Sequence, residues 1–356
     1  MAEPIILVIN PGSTSTKVSL YKGRKAVFTH TEEHDYETIQ QFPDVISQAD
    51  FRENVIRQYL KRYGYNVGDV DVFVGRGGLL RPIAGGVYAV NRKMVDELSE
   101  ARNGEHPCNL GAVLAQKLAA EKNSPSYIAD PVVVDELDPE CRISGHPAIP
   151  RKSIFHALNQ KMVAEKASKD LDSEYSETNL IVAHLGGGVS VGVHKKGRVV
   201  DVNNALEGEG PMSPERPGGL PLIDFYRYVT GNNMSESEIY KVVTKKGGLI
   251  AYCGTNDCRE IERRIAEGDA DARTVYKGFI LQVAKAIAAG AAVLSGEVDA
   301  IVLTGNVAKG KLFSAELKKR IGFIARVMTY TDNSEMDALA FAAYDAYTGR
   351  KTVQEY

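Results

Sequence analysis

The sequence predicts an α/β protein of two similar halves, each opening on a strand–turn–strand hairpin suited to phosphate. Residues 5–9 are an uninterrupted aliphatic run, which reads as a strand buried on both faces. Asn10, Pro11 and Gly12 end it with turn chemistry, and residues 18–21 resume as a β-branched and aromatic strand. Residues 179–185 form a second such run, followed by Gly186, Gly187 and Gly188 and an alternating return strand over 189–194. Both copies then pass through a basic glycine turn, Lys22-Gly23-Arg24 and Lys196-Gly197-Arg198, into a third short strand. Recurrence at about half the chain length points to a duplicated fold.

The first turn holds Gly12, the hydroxyls of Ser13, Thr14, Ser15 and Thr16, and Lys17. Backbone N–H groups, hydroxyls and one cation together suit phosphate oxygens. The turn is not a Walker A loop, which needs a glycine directly before the lysine and a helix after it. Here Thr16 precedes Lys17 and a strand follows. The alternative is an ordinary hairpin with a polar turn, and the recurrence weighs against it.

Composition narrows the class. A length of 356 residues favours two domains. Hydrophobic content of 44% and charged content of 25% are ordinary for a soluble globular protein. A net charge of -3 argues against broad nucleic-acid or acidic-membrane binding. No basic segment precedes the first apolar run, and no stretch reaches a membrane span, so a cytoplasmic protein is expected. Cys108, Cys141, Cys253 and Cys258 make no CxxC pair, and no histidine follows His194 to complete a zinc site. They read as free thiols of a reducing compartment.

In chain order, residues 35–63 read as helical from their apolar spacing and lack of glycine. Residues 69–74 are a strand ending at Gly75-Arg76-Gly77-Gly78. An arginine emerging there is placed to reach an anionic ligand with its fork of donors, or else to stabilise a surface turn. His106-Pro107-Cys108-Asn109 opens a helix to about residue 121. Residues 126–130 are a short strand ending on Asp130, where α/β sheets place ligands. Asp135, Glu136 and Asp138 have the simpler reading of a solvated acidic loop. Residues 153–168 are an amphipathic helix, and the polar segment 169–178 reads as the linker between domains 1–170 and 171–356.

Residues 203–222 are rich in Gly and Pro, with Arg216 as the only cation. Breakers forbid regular structure there, and the choice lies between an ordered functional loop and a flexible spacer. Helices follow at 235–244 and 257–267, then an Ala-rich one at 275–294. Residues 299–304 are a strand running into Gly305 and Asn306, a small-residue turn that an adenine or ribose can approach closely. Ser334 N-caps a terminal helix that starts with Glu335.

These ordered motifs resemble the acetate kinase family, most closely its butyrate kinase branch, over nearly the whole chain. Asn10, Gly12, Ser13, Ser15 and Lys17 match its first phosphate motif. Gly75-Arg76-Gly77-Gly78 resembles the segment whose arginine holds the substrate carboxylate. Asp130 matches an essential aspartate, and His184 with Gly186, Gly187 and Gly188 resembles the second phosphate motif. Arg216 fits the second active-site arginine, Gly305 and Asn306 the adenosine motif, and Glu335 the glutamate linked to the metal. Gly187 departs from the acetate kinase pattern, as do residues 215–219 and the pair Gly77 and Gly78, which replace bulkier aliphatics.

The resemblance implies two actin-like, ribonuclease H-like domains flanking a nucleotide cleft and closing by a hinge, with the terminal helix packed back on the first. It implies Mg²⁺ with ATP as co-substrate, a short-chain carboxylate as acceptor, and a homo-oligomer of at least two copies. Arg76, Asp130, His184 and Arg216 would be catalytic, with Asn10 and Glu335 at the metal. Gly77 and Gly78 would line the substrate pocket and leave room for a longer acyl tail. Butyrate is the first choice, with isobutyrate, valerate, propionate and acetate as alternatives. A sugar or glycerol kinase, with Asp130 as base, and an actin- or Hsp70-like nucleotide switch are the rival classes.

Overall fold

The computed structural model describes residues 3–332 and 334–356. Its strands, in chain order, are β1 (Ile5–Pro11), β2 (Ser15–Lys22), β3 (Lys25–Glu33), β4 (Val72–Arg76), β5 (Val87–Ala89), β6 (Ser126–Ala129), β7 (Asn179–Leu185), β8 (Val189–Lys195), β9 (Arg198–Val202), β10 (Ala300–Thr304), β11 (Val327–Tyr330) and β12 (Val353–Gln354). They form a seven-stranded sheet, ordered β12-β5-β6-β4-β1-β2-β3, and a five-stranded sheet, ordered β11-β10-β7-β8-β9.

The second sheet repeats the topology of the first. In each, three antiparallel strands make a meander, and its first strand pairs in parallel with a later one, β1 with β4 and β7 with β10. A third parallel strand follows, β6 and β11. Even the irregularity recurs, between Leu20 and Tyr21 in β2 and between Val193 and His194 in β8.

Burial explains the aliphatic runs. Ile6, Leu7, Val8 and Ile9 are all 0% exposed. Leu7 and Ile9 share a cluster with Ile56 and Leu60 of helix Ala49–Arg62 and with Leu110 and Leu114 of helix Asn109–Ala119. Each such side chain contributes about 1.5–3 kcal/mol on burial. In the other sheet, Ile181 and Ala183 meet Phe279, Val283 and Ile287 of helix Ala270–Val293. Leu180 and Val182 meet Val163, Ala164 and Ala167 of helix Ala157–Asp170.

The chain divides into two compact units, Met1–Val134 with Asn333–Tyr356, and Asp135–Asp332. The division therefore falls at 134/135 and not at the polar segment near 170. Helix Ala157–Asp170 packs on β7 and β10, and the backbone at Asp138 and Ala205 ties the preceding segment to the second sheet. Composition marked a loop at 169–178, but the packing on both sides of it is with the same sheet. Helix Glu335–Tyr347 packs on β1, β4 and β6, and β12 pairs with β5, so the chain end belongs to the first unit.

The stretch read as one helix over 35–63 is broken. It forms helix Tyr36–Ile39, a 3-10 turn Ile46–Gln48 and helix Ala49–Arg62. Pro43, which lacks a backbone donor, lies in the interruption. Helices Arg92–Ser99, Leu222–Gly231 and Gly248–Cys253 and strands β5, β11 and β12 are short elements absent from the sequence reading.

Candidate active site

In the first unit, the site residues stand at the C-terminal ends of neighbouring parallel strands. Asn10 is near the end of β1, Arg76 ends β4, and Asp130 follows β6. Ile9 pairs with Gly75, and Arg76 with Ala129, so the register brings the three together. Strand β4 is pressed onto helix Asn109–Ala119. A Cβ on Gly75 would lie 2.0 Å from the Gly111 carbonyl oxygen, and one on Gly111 2.2 Å from that of Arg76. No larger residue permits this approach.

The Arg76 guanidinium donates to Glu335 Oε2 at 3.0 Å, and Asn10 Nδ2 donates to the same oxygen at 3.0 Å. Asn10 Oδ1 lies 3.5 Å from Arg76 Nη1. Glu335 starts its helix, where the macrodipole favours an anion. Ser334 caps that helix in a capping box with Asp337, and the Tyr21 hydroxyl donates to Asp337 Oδ1 at 2.7 Å. Asp130 has a left-handed backbone, φ 37°, and its Oδ1 accepts the Gly86 N–H at 2.7 Å.

Gly77 and Gly78 do not border empty space. A Cβ on Gly77 would meet the Pro131 Cβ at 2.5 Å, and one on Gly78 would meet Asn109 Oδ1 and Leu98 Cδ2, each at 2.6 Å. In the direction of their missing Cβ atoms the glycines admit neighbouring protein. Asn109 also fixes the loop after Arg76, accepting the Leu79 N–H at 2.9 Å and donating to Gly104 O at 3.0 Å. The Cys108 thiol is buried, which pushes its pKa up to about 11, and it feels Arg76 and Glu335. His106 Nδ1 lies 2.9 Å from its sulfur.

The first hairpin turns at Gly12, Ser13 and Thr14, with Asn10 opposite Lys17. Ser13 is exposed and Gly12, Ser15 and Lys17 are half-buried. The Gly12 N–H donates to Ser15 O at 2.8 Å.

In the second unit, His184 holds the position in β7 that Asn10 holds in β1, one residue from the strand end. Its Nδ1 lies 2.7 Å from Asn159 Oδ1, and its ring stacks on His156, centroids 3.8 Å apart and 11° from parallel. His156 Nδ1 lies 2.9 Å from Ser190 Oγ, which also accepts from Gln160 Nε2 at 2.8 Å. His156 is the N-cap of helix Ala157–Asp170, and Asn159 and Gln160 lie three and four residues beyond it. That spacing was legible in the sequence as one polar face, but not what it would face.

The glycine-rich segment 203–222 is ordered where it meets the Gly186–Gly188 turn. Ser213 Oγ donates to Gly187 O at 2.6 Å, and the Glu215 N–H donates to the same carbonyl at 3.2 Å. Arg216 Nη1 donates to Ala205 O at 2.5 Å, over Gly188, where a Cβ would lie 1.9 Å from that nitrogen. Burial lowers the Arg216 pKa, with Glu215 opposing. Gly305 turns the chain after β10, φ 88°, against Leu185 O. Gly186, Gly187, Glu215, Asn256, Glu262 and Asn306 line part of a cavity of about 810 Å³ within this unit. Asn256 donates to Glu215 Oε1 at 3.0 Å. Asn256 and Glu262 were missed in the sequence because they sit at and beyond a helix start with no motif of their own.

A model of the acetokinase family matches residues 147–336. The chain is 45% identical to butyrate kinase 2 and 46% identical to butyrate kinase 1 of Clostridium acetobutylicum, over 351 residues that cover 99% of both chains in each case. Among solved structures, acetate kinase of Porphyromonas gingivalis aligns with TM-score 0.77 at 19% identity, over 96% of this chain and 98% of that one. A propionate kinase of Francisella tularensis aligns with TM-score 0.74 at 18% identity, over 96% and 99%. These two likenesses show a shared fold.

Proposed function

The chain belongs to the acetokinase family, and on that premise we propose that it is a butyrate kinase, transferring the γ-phosphoryl group of ATP to the carboxylate of butyrate. The products are ADP and butyryl phosphate. The observation that carries the reading is the identity of 45–46% to two butyrate kinases along 99% of the chain.

The chemistry asked of the residues is positioning and charge neutralisation. A carboxylate is ionised at pH 7, so no general base is required to make the nucleophile. Arg76 holds the acceptor carboxylate with its guanidinium fork, a geometry that lysine lacks. Glu335 takes Nη1 of that fork, and its withdrawal would free both arms of Arg76 for the substrate. His184 donates a hydrogen bond to the transferred phosphoryl group. With Nδ1–H directed at Asn159 Oδ1, donation from Nε2 requires the imidazolium form. Arg216 balances charge on the phosphoryl oxygens, a role that can be worth about 10³–10⁵ in rate. Gly12, Ser13, Ser15 and Lys17 in the first hairpin and the Gly186–Gly188 turn in the second each carry groups suited to ATP phosphates, and Gly305 and Asn306 suit the adenosine. Asp130 shapes the site through Gly86 rather than acting as a base.

Glu335 and Asn10 offer a carboxylate and an amide oxygen, hard donors that suit Mg²⁺. Bound there, the ion would neutralise phosphate oxygens. Among the described residues no helix is long and apolar enough to cross a membrane. A cytoplasmic homo-oligomer without nucleic-acid partners completes the reading.

The test is hydroxylamine trapping of acyl phosphate from ATP with acetate, propionate, butyrate, isobutyrate and valerate, with ADP release on glycerol as control. A maximum at butyrate supports the assignment. A maximum at a branched acid keeps the reaction and changes the acceptor. No acyl phosphate with any acid would sink it.

A further inference from the structure

Arg52 is 0% exposed and lies in helix Ala49–Arg62, beneath the first hairpin. Its guanidinium donates to Ser15 O at 2.6 Å, Ser13 O at 3.4 Å, Thr16 Oγ1 at 3.1 Å and Gln48 Oε1 at 2.9 and 3.0 Å. Every one of these acceptors is neutral. Among the described residues Arg52 has no carboxylate within ion-pair distance, although the structure pairs many of its exposed arginines. Burial holds its pKa down to about 10, so it stays protonated at neutral pH. A buried charge without a counter-charge is costly and is retained where something compensates.

Its contacts also set the direction of the turn. Arg52 takes the Ser13 and Ser15 carbonyls, and the His34 N–H takes the Thr14 carbonyl at 2.7 Å. Three successive carbonyls are thus held by the protein. Across a planar trans peptide the next N–H points the opposite way, so the amides of Thr14 and Ser15 turn away from those partners. Ser13 itself is exposed. Thr16 Oγ1 is held in addition by His34 Nε2 at 2.7 Å, which fixes the strand that carries Lys17.

We propose that Arg52 is a positioning residue for nucleotide phosphates: it pins the Ser13 and Ser15 carbonyls inward, and its unpaired charge is compensated by phosphate bound on the outer side of the turn. The inference rests on the reading of this hairpin as a phosphate cradle. It adds a residue that no motif names, from a helix outside both phosphate stretches.

The experiment compares full-length wild type with Arg52→Gln and Arg52→Lys by titration calorimetry against ADP and adenosine, with melting curves to establish folding. Adenosine lacks the phosphates, so the ratio of the two affinities isolates the hairpin from a general loss of structure. Arg52→Gln should weaken ADP about tenfold, the scale of one charge-assisted interaction, and change adenosine less than about twofold. Arg52→Lys, which keeps the charge without the fork, should fall between. Folded variants with an unchanged ratio overturn the proposal. If neither variant folds, hydrogen exchange on wild type decides: inorganic tripolyphosphate should slow the peptide spanning residues 12–17, and no slowing overturns it. Wild type that fails to bind ADP at all would instead overturn the kinase reading.

Discussion

Replacing Gly77 with alanine separates two explanations of the glycines after Arg76. The added Cβ would sit 2.5 Å from the Pro131 Cβ, 3.2 Å from its Cα and 3.3 Å from Ile128 Cδ1. Ordinary carbon contacts lie at about 3.5–4.0 Å, so the first overlap is about 1 Å. Pro131 is a rigid ring next to Asp130, whose backbone is already left-handed, and Ile128 is buried in β6. Neither yields cheaply, and overpacking of this kind costs about 1–3 kcal/mol. At about 2–4 °C per kcal/mol for a unit of this size, the melting temperature should fall by about 2–12 °C. Displacing Pro131 also moves Asp130 against Gly86, so kcat should drop for every acid alike. Calorimetry with kcat/KM across acetate to valerate checks both. An unchanged melting temperature with preference shifted toward shorter acids would refute the packing argument and restore the glycines as a tail pocket.

Glu335→Gln should weaken the dependence of rate on Mg²⁺ concentration while tightening Mg²⁺-free binding of butyrate several-fold, because Arg76 loses its anionic partner; calorimetry against butyrate checks this. Asn159→Leu removes the acceptor at His184 Nδ1 and should lower kcat about tenfold or more with little change in the KM for butyrate, read by steady-state kinetics. Gly188→Ala should displace Arg216 from Ala205 O and lower kcat more than melting temperature. His194 is fully buried, with Tyr175 and Gln160 on its two nitrogens, and burial first, then Lys161, hold its pKa well below 6.5. The folded state therefore binds fewer protons than the unfolded chain. Its contribution is complete above about pH 6.5 and is lost as pH falls toward the folded pKa, so His194→Gln should flatten the fall in melting temperature between about pH 6.5 and 5.

Local sequence determined much of this protein. Aliphatic runs, glycine turns and their recurrence fixed both hairpins, because strand burial and turn chemistry are properties of a few adjacent residues. It also placed Asn10, Arg76, Asp130 and His184 at strand ends, since each follows an apolar run directly. Tertiary structure decided what those residues touch. The Arg76–Glu335 pair joins residues far apart in the chain, and the Asn159–His184 pair depends on which helix face meets the second sheet. Arg52 carried no signal at all, because a charged residue on a helix reads as solvated until packing buries it. The unit boundary moved for the same reason. A polar stretch shows where a loop is, whereas membership of a unit is set by the sheet on which the flanking helices pack. Gly77 and Gly78 show the converse: a missing side chain is visible in the sequence, but whether the space is empty or filled depends on what folds against it.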